Sequence, residues 1–261
     1  MVVVQCGDQE FYIDGYLKSN LDIAKKQARK DWDFPFVVDG AEGSGKSVFA
    51  GQCARYCDPT YGLERCAFTP EQFKEYVKGA VRYQSVVLDE GYGSLASRGA
   101  MSRVNRTIVK MLTEIRQKNL FIFVVLPTFF DLDRYFGIWR SKALFSVYHM
   151  DFQRGYFRYY SESRKKQLYL KGKKLYDYRP VKHNFCGRFT KHFVYDKAGY
   201  DAKKAVATLG EDEDEKHNKM KLAVRNLMVH PKCKGLKKKE VAEIFGVHFN
   251  TIGNYTKDMH S

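Results

Sequence analysis

"VVDGAEGSGKSVF", residues 37–49, sets three glycines, a lysine and two serines directly behind a short apolar run. Gly40, Gly45, Lys46 and Ser47 fit the spacing G-x-x-x-x-G-K-[ST]. "FPFVV" before them is apolar and strand-like, and "SVFAGQCARYC" after them has helical composition. Glycines at such a strand-to-helix turn let successive N–H groups face inward without a Cβ in the way, and the helix start adds its positive dipole end. Residues Gly40, Ala41, Glu42, Gly43, Ser44, Gly45, Lys46, Ser47 and Val48 are therefore expected to cradle the phosphates of a nucleotide. In this reading Lys46 reaches the β and γ phosphates and the Ser47 hydroxyl sits on Mg²⁺. The alternative is a glycine-rich turn with an incidental lysine.

A second apolar run, "SVVLDEG" at 85–91, ends in two carboxylates. A strand buried in a parallel sheet reads as a continuous apolar run, and its carboxyl end opens into the ligand crevice. Asp89 is then expected in the Mg²⁺ shell, with Glu90 orienting or deprotonating a lytic water. Two adjacent acids with different tasks favour hydrolysis of ATP over transfer to a small metabolite. Between the two runs, "TPEQFKEYVKGA" opens with Thr69 as N-cap, Pro70 as first helical residue and Gln72 at the capping-box position, so the local unit reads βαβ.

Beyond the acids, Val104, Ile108, Met111, Leu112 and Ile115 share one face of a helix. Arg98, Arg103 and Arg106 then form either a solvated basic face or contacts to phosphates. "FIFVVL" at 121–126 is a further buried strand, with Thr128 just past its end, placed either to sense a γ phosphate or to cap the helix after Pro127. Around Tyr135 and Trp139 the chain reads as a packed helix carrying Arg134 and Arg140, followed by a strand, "ALFSVYHM".

The order "GAEGSGKS", "VVLDE", long helix, "FIFVVLPT", basic helix and strand resembles the additional-strand class of P-loop ATPases over roughly residues 33–150. Within that class it is similar to the HerA and FtsK group of DNA translocases, including viral genome-packaging ATPases and zonula occludens toxin-like phage proteins. FtsK-like proteins carry a glutamine after the sensor strand, where this chain has "LPTF". The resemblance implies an α/β fold with a RecA-like, mainly parallel sheet, ATP-driven movement along DNA and homo-hexameric rings. In such rings one subunit's arginine reaches its neighbour's γ phosphate, and Arg140, then Arg134, are the candidates here.

Residues 150–200 hold 13 of the 39 aromatics with 13 Lys or Arg against four acids. The stretch reads as a basic, aromatic, β-rich extension over 150–209, with turns at Gly155 and Gly172, whose interleaving suits either a groove for single-stranded nucleic acid or packing on the core. "GEDEDEKHNK" at 210–219 carries an acidic run without apolar content, read as a solvated linker over 210–218 after a core at 1–149. In "KKKEVAEIFGVHFNTIGNYTK", Ala242, Gly246 and Ile252 occupy the close-contact, turn and core places of a helix-turn-helix frame. Residues 219–261 resemble the helix-turn-helix domains of resolvase-like and regulator proteins. Lys237, Lys238, Lys239 and Lys257 are expected on phosphates, and His248, Asn250, Thr251 and Asn254 on the second helix towards the major groove.

The formal charge of +15 over 261 residues fits a polyanionic partner, with DNA ahead of a membrane surface. No apolar run approaches a membrane span, and "MVVVQCGDQEF" is too short and too soon acidic for a signal peptide, so a cytoplasmic protein without membrane insertion is expected. Cys6, Cys53, Cys57, Cys66, Cys186 and Cys233 are scattered and read as reduced, packed thiols. The function expected is an ATP-hydrolysing DNA motor, with an ATP-dependent DNA-binding switch that does not translocate as the alternative.

Overall fold

A computed structural model describes the backbone of residues 2–89, 98–229 and 236–257, and the side chains of these residues other than 98–103 and 208–219. The chain forms two compact units, Met1–Ala207 and Thr208–Ser261. The first opens with an antiparallel hairpin, β1 (Val2–Cys6) and β2 (Gln9–Ile13), and helix α1 (Gly15–Ala28), which the Asp14 side chain caps.

The remainder of this unit is built on one seven-stranded sheet. Its parallel strands are β3 (Phe34–Gly40), β4 (Cys66–Ala67), β5 (Ser85–Asp89), β6 (Phe121–Val125) and β7 (Ala143–Met150). Strand β8 (Gln153–Ser161) runs antiparallel to β7, and β9 (Phe185–Arg188) antiparallel to β8, giving the spatial order β4-β5-β6-β3-β7-β8-β9. Each apolar run of the sequence is a strand buried on both faces, as a sheet covered on both sides requires. Alternate residues feed two cores: Phe36, Val38, Phe123 and Phe145 meet α1 and helix α2 (Lys46–Cys57), while Val37, Leu88, Val124 and Leu144 meet helices α3 (Pro70–Gly79) and α4 (Arg98–Gln117).

Helix boundaries follow local chemistry. α2 stops where Asp58, extended ahead of Pro59, cannot continue it. At α3 the Thr69 hydroxyl accepts from the Gln72 N–H at 3.2 Å, while the Gln72 amide reaches one residue further back than a capping box, to the Phe68 N–H at 2.9 Å. On α4, Val104, Ile108, Met111, Leu112 and Ile115 are buried, and Arg106 and Lys110 are exposed.

Three regions depart from the sequence reading. The segment around Tyr135 is a single π-helical stretch, Tyr135–Arg140, with Tyr135 and Trp139 exposed and Phe136 and Ile138 buried. Over 150–209, read as a β-rich extension, the chain adds β8 and β9 to the main sheet but also makes helix α5 (Glu162–Gly172) and opens helix α6 (Lys197–Val229). Gly155 lies within β8 and Gly172 closes α5, so neither is a hairpin turn. The acidic run 210–218, read as a linker, has helical backbone within α6.

In the second unit the later part of α6 joins helices α7 (Lys238–Phe245) and α8 (Phe249–Thr256) around Val224, Val241, Ala242, Ile252 and Tyr255. Gly246, at φ +62°, ends α7 in the left-handed cap that glycine favours. Among the described residues no helix is long and apolar enough to cross a membrane. The five described cysteines form no disulfide, and Cys6, Cys53, Cys57 and Cys66 are buried.

Candidate active site

The loop between β3 and α2 needs its glycines. Gly40 has φ +141°, and a Cβ there would stand 2.0 Å from the Val147 carbonyl oxygen of the neighbouring strand. Gly43 and Gly45 also have positive φ, and Gly45 begins α2 with no side chain capping its N–H groups. Lys46 is buried and its ammonium donates to the carbonyls of Gly40 (2.7 Å) and Ala41 (2.8 Å). Burial pulls its pKa down from the ordinary lysine value, against Asp89, Asp39 and Glu42, which favour the cation. Ser44 Oγ is buried in the loop without a hydrogen-bond partner.

Strand β6 separates β3 from β5, yet it sets them level, because Val125 is the register partner of both Val38 and Asp89. The ends of β3 and β5 therefore stand about 10 Å apart, two strand spacings, and α2 lies across the gap against β5 and β6. Ser47, in the first turn of α2, donates to Asp89 Oδ1 at 3.1 Å. The other carboxylate oxygen accepts from the Tyr200 hydroxyl of α6 at 2.6 Å. Burial and the adjacent carboxylate push the Tyr200 phenol up, so it remains a donor.

These groups border a cavity of about 470 Å³ lined by Glu42, Gly43, Gly45, Lys46, Ser47, Val48, Asp89, Arg154, Phe193, Tyr200 and Lys204, with Val125, Leu126 and Pro127 as its floor. Three cations, Lys46, Arg154 and Lys204, thus surround one space beside a helix N-terminus. Gly40, Ala41 and Ser44 belong to the loop but not to the cavity wall. Glu90, Asp89's neighbour, lies outside the described residues.

Thr128 stands away from the cavity, and Arg140, expected to reach a neighbouring subunit, is paired within its own chain. Thr128 caps the turn Phe129–Asp131, accepting from the Phe130 N–H at 3.3 Å and pairing with the Tyr178 hydroxyl, and does not line the cavity. Arg140 pairs with buried Asp33 at 2.7 Å. Asp33 precedes β3, so this arginine sits a strand length, about 20 Å, from the glycine loop of its own chain. Arg134 is exposed at the start of the π-helical stretch.

Five residues near the loop, Arg154, Phe193, Tyr200, Lys204 and Asp39, carried no signal that the sequence reading used. Arg154 is aimed at the loop by a bulge: the β7–β8 register shifts between Tyr148 and Met150, and Gly155 (φ +102°) lets β8 pass so close to Phe189 that a Cβ would stand 2.6 Å from its carbonyl oxygen. A glycine inside a strand pattern is the trace of such a bulge. Tyr200 and Phe193 arrive on a strap, residues 189–195, and the start of α6; Gln52 of α2 ties the strap down by donating to the Thr190 and His192 carbonyls, each at 2.8 Å. On the opposite face of β3, Asp39 is fully buried and accepts from the Tyr178 hydroxyl and from the Phe129 N–H (2.9 Å). Desolvation raises its pKa to about 6 despite those bonds and nearby Ser146 and Lys46.

In the C-terminal unit, Lys237, Lys239, Asn250, Asn254 and Lys257 are exposed and Lys238 and Thr251 half-buried. His248 is not on the body of α8; it is the N-cap, its Nδ1 accepting from the Asn250 N–H at 3.3 Å.

No family model, curated protein or solved structure matches the chain.

Proposed function

We propose that the chain is a magnesium-dependent ATPase of the RecA-like P-loop class that acts on DNA as a translocase or packaging-type motor, assembled as a homo-hexameric ring. The observation that carries this reading is the Ser47–Asp89 hydrogen bond, which brings the helix behind the glycine loop and the acid-ended strand to one point across the interposed β6. The residues present fit a magnesium-bound triphosphate: a loop whose Gly40 has no room for a Cβ, an uncapped helix start, an orphaned Ser44 hydroxyl, and a hydroxyl–carboxylate pair. Ser47 and Asp89 would hold the cation and residues 43–48 the phosphates. The bound nucleotide supplies the phosphoryl group whose release drives the work. Lys46 holds positive charge at the loop, and Arg154 and Lys204 add charge across the cavity from the same chain, where negative charge gathers during phosphoryl transfer. Glu90 enters by its place beside Asp89, as the residue that orients the attacking water. The helix pair α7–α8, with Asn250 and Asn254 exposed, Thr251 half-buried beside them and Lys237–Lys239 and Lys257 at its edges, suits major-groove contact.

Hydrolysis measured with and without duplex DNA tests the reading. Wild type is expected to turn over ATP faster with DNA, and Lys46→Ala, Asp89→Asn and Glu90→Gln to fall by about 100-fold or more. Full activity in Asp89→Asn removes the reading, and a single-chain mass with ATP and DNA present removes the ring. One observation favours a DNA-binding switch instead: Tyr200, which holds Asp89, lies on the helix whose later residues belong to the C-terminal unit. A switch hydrolyses and binds but moves nothing in a strand-displacement assay.

A further inference from the structure

We propose that the open face of β7, β8 and β9, together with the β7–β8 turn, is a stacking surface for a single strand of nucleic acid. The proposal deepens the DNA-directed reading above and rests on it for the biological partner only.

The sheet register sets Tyr148, Tyr156 and Arg188 in one row and Arg158 in the next, all on one face. There the Arg158 guanidinium lies 4.3 Å from the Tyr148 ring centre, Arg188 lies 5.1 Å from that of Tyr156, and the two rings are 5.7 Å apart. A guanidinium held this close to a ring can present a further face to a base and its N–H groups to phosphate, the pairing that unstacked strands use. Arg158 also borders a recess of about 320 Å³ lined by Tyr160, Tyr178, Arg179, Lys182 and His183. Among the described residues the acids nearby include Asp177, already paired with Arg179, Asp151 in the turn, and buried Asp39, which accepts from the Tyr178 hydroxyl.

The turn itself is the second, independent observation. Asp151 (φ +50°) and Phe152 (φ +59°) are its two central residues, between the paired Met150 and Gln153. Such turns favour Asn-Gly, and a bulky side chain there is strained. Phe152 is nonetheless 98% exposed, next to Met150 at 50%. The ring gains no burial for the strain, and His149 lies parallel to it with centres 6.5 Å apart. Folding gives no reason for an aromatic at this place, whereas a base stacking on it would cover it. A duplex keeps its bases stacked internally and offers these rings only its backbone, so the surface selects a single strand.

The test is fluorescence anisotropy of the full chain, without ATP, on a short labelled oligothymidylate and on a duplex. Phe152→Gly and Arg188→Ala are expected to weaken single-strand binding by about 5- to 100-fold each and to leave duplex affinity and DNA-free ATP turnover unchanged. Phe152→Gly should not lower the melting temperature, since glycine suits that φ. Unchanged single-strand affinity in both variants overturns the proposal, as does an equal loss on duplex, which marks a general basic patch. Because no ATP is present, loss of the motor reading through Asp89→Asn leaves this result standing on its own.

Discussion

Arg154 and Asp39 lie on opposite faces of the strand system that ends at the glycine loop, and each makes a distinct prediction. Arg154 is exposed and reaches the cavity only through a bulge, so its removal should subtract charge at the proposed phosphate site without touching the core. Arg154→Ala is expected to lower kcat about 100-fold with an unchanged melting temperature, and Arg154→Lys to restore part of it, read by steady-state ATP hydrolysis. Asp39 titrates at about 6 in the folded chain against an ordinary 3.8. Between those values the folded chain binds more protons than the unfolded one, so this residue makes stability fall as pH rises from about 4 to about 6, and the loss persists above. Asp39→Asn keeps an acceptor for Tyr178 and Phe129 and removes the buried charge. Thermal melts should show the wild-type slope gone and the variant more stable at neutral pH, by up to about 3 kcal/mol; a variant less stable at neutral pH and unchanged near pH 4 overturns the assignment.

At the level of elements, the bulge in β8 decides what the strap and the cavity can be. Gly155→Ala meets both a left-handed backbone and the Phe189 carbonyl, and Phe189 in turn lies over Gly45, where a Cβ would stand 3.2 Å from its ring. The variant is expected to lose more than about 1 kcal/mol of stability and to weaken ATP binding, measured by chemical denaturation and nucleotide titration. Native stability in Gly155→Ala would show that the strands can part without cost. The elements legible in the sequence were those with a long, uninterrupted signal: the apolar runs of β3, β5, β6 and β7 and the five-residue stripe of α4. Helix α5 was not, because it buries only Leu168, Tyr169 and a lysine beside Gly172. Lys165, which composition places in a basic surface, is buried and donates to the Gly137 and Ile138 carbonyls at 2.8 and 3.0 Å, closing the π-helical stretch. Burial lowers its pKa to about 8.

Across the whole chain, a charge of +15 makes association with any polyanion strong and unselective at low salt. In the DNA-directed reading proposed above, selectivity has to come from side chains that can reach base edges, and Asn250 and Asn254 are the exposed amides of α8. Each alanine substitution is expected to weaken binding to the best duplex from in vitro selection by about 10-fold and to leave random duplex nearly unaffected, whereas Lys257→Ala should weaken both alike and flatten the salt dependence. Equal losses on selected and random duplex for Asn254→Ala would make this helix a backbone contact only.

The amino-acid order alone determined the glycine loop, the acid-ended strand, the buried runs, the Thr69 and Gly246 caps and the core positions of α7 and α8, since each depends on neighbours within a few turns of chain. Only the tertiary structure decided that β6 lies between β3 and β5 and sets Val38 and Asp89 level, that Tyr200 closes on Asp89, and that Arg154 faces the loop while Arg140 is held by Asp33. A charged side chain reads the same in sequence whether it meets a phosphate, a buried aspartate or a backbone carbonyl. Its partner is set by register and packing between segments more than a hundred residues apart, as with Asp89 and Tyr200.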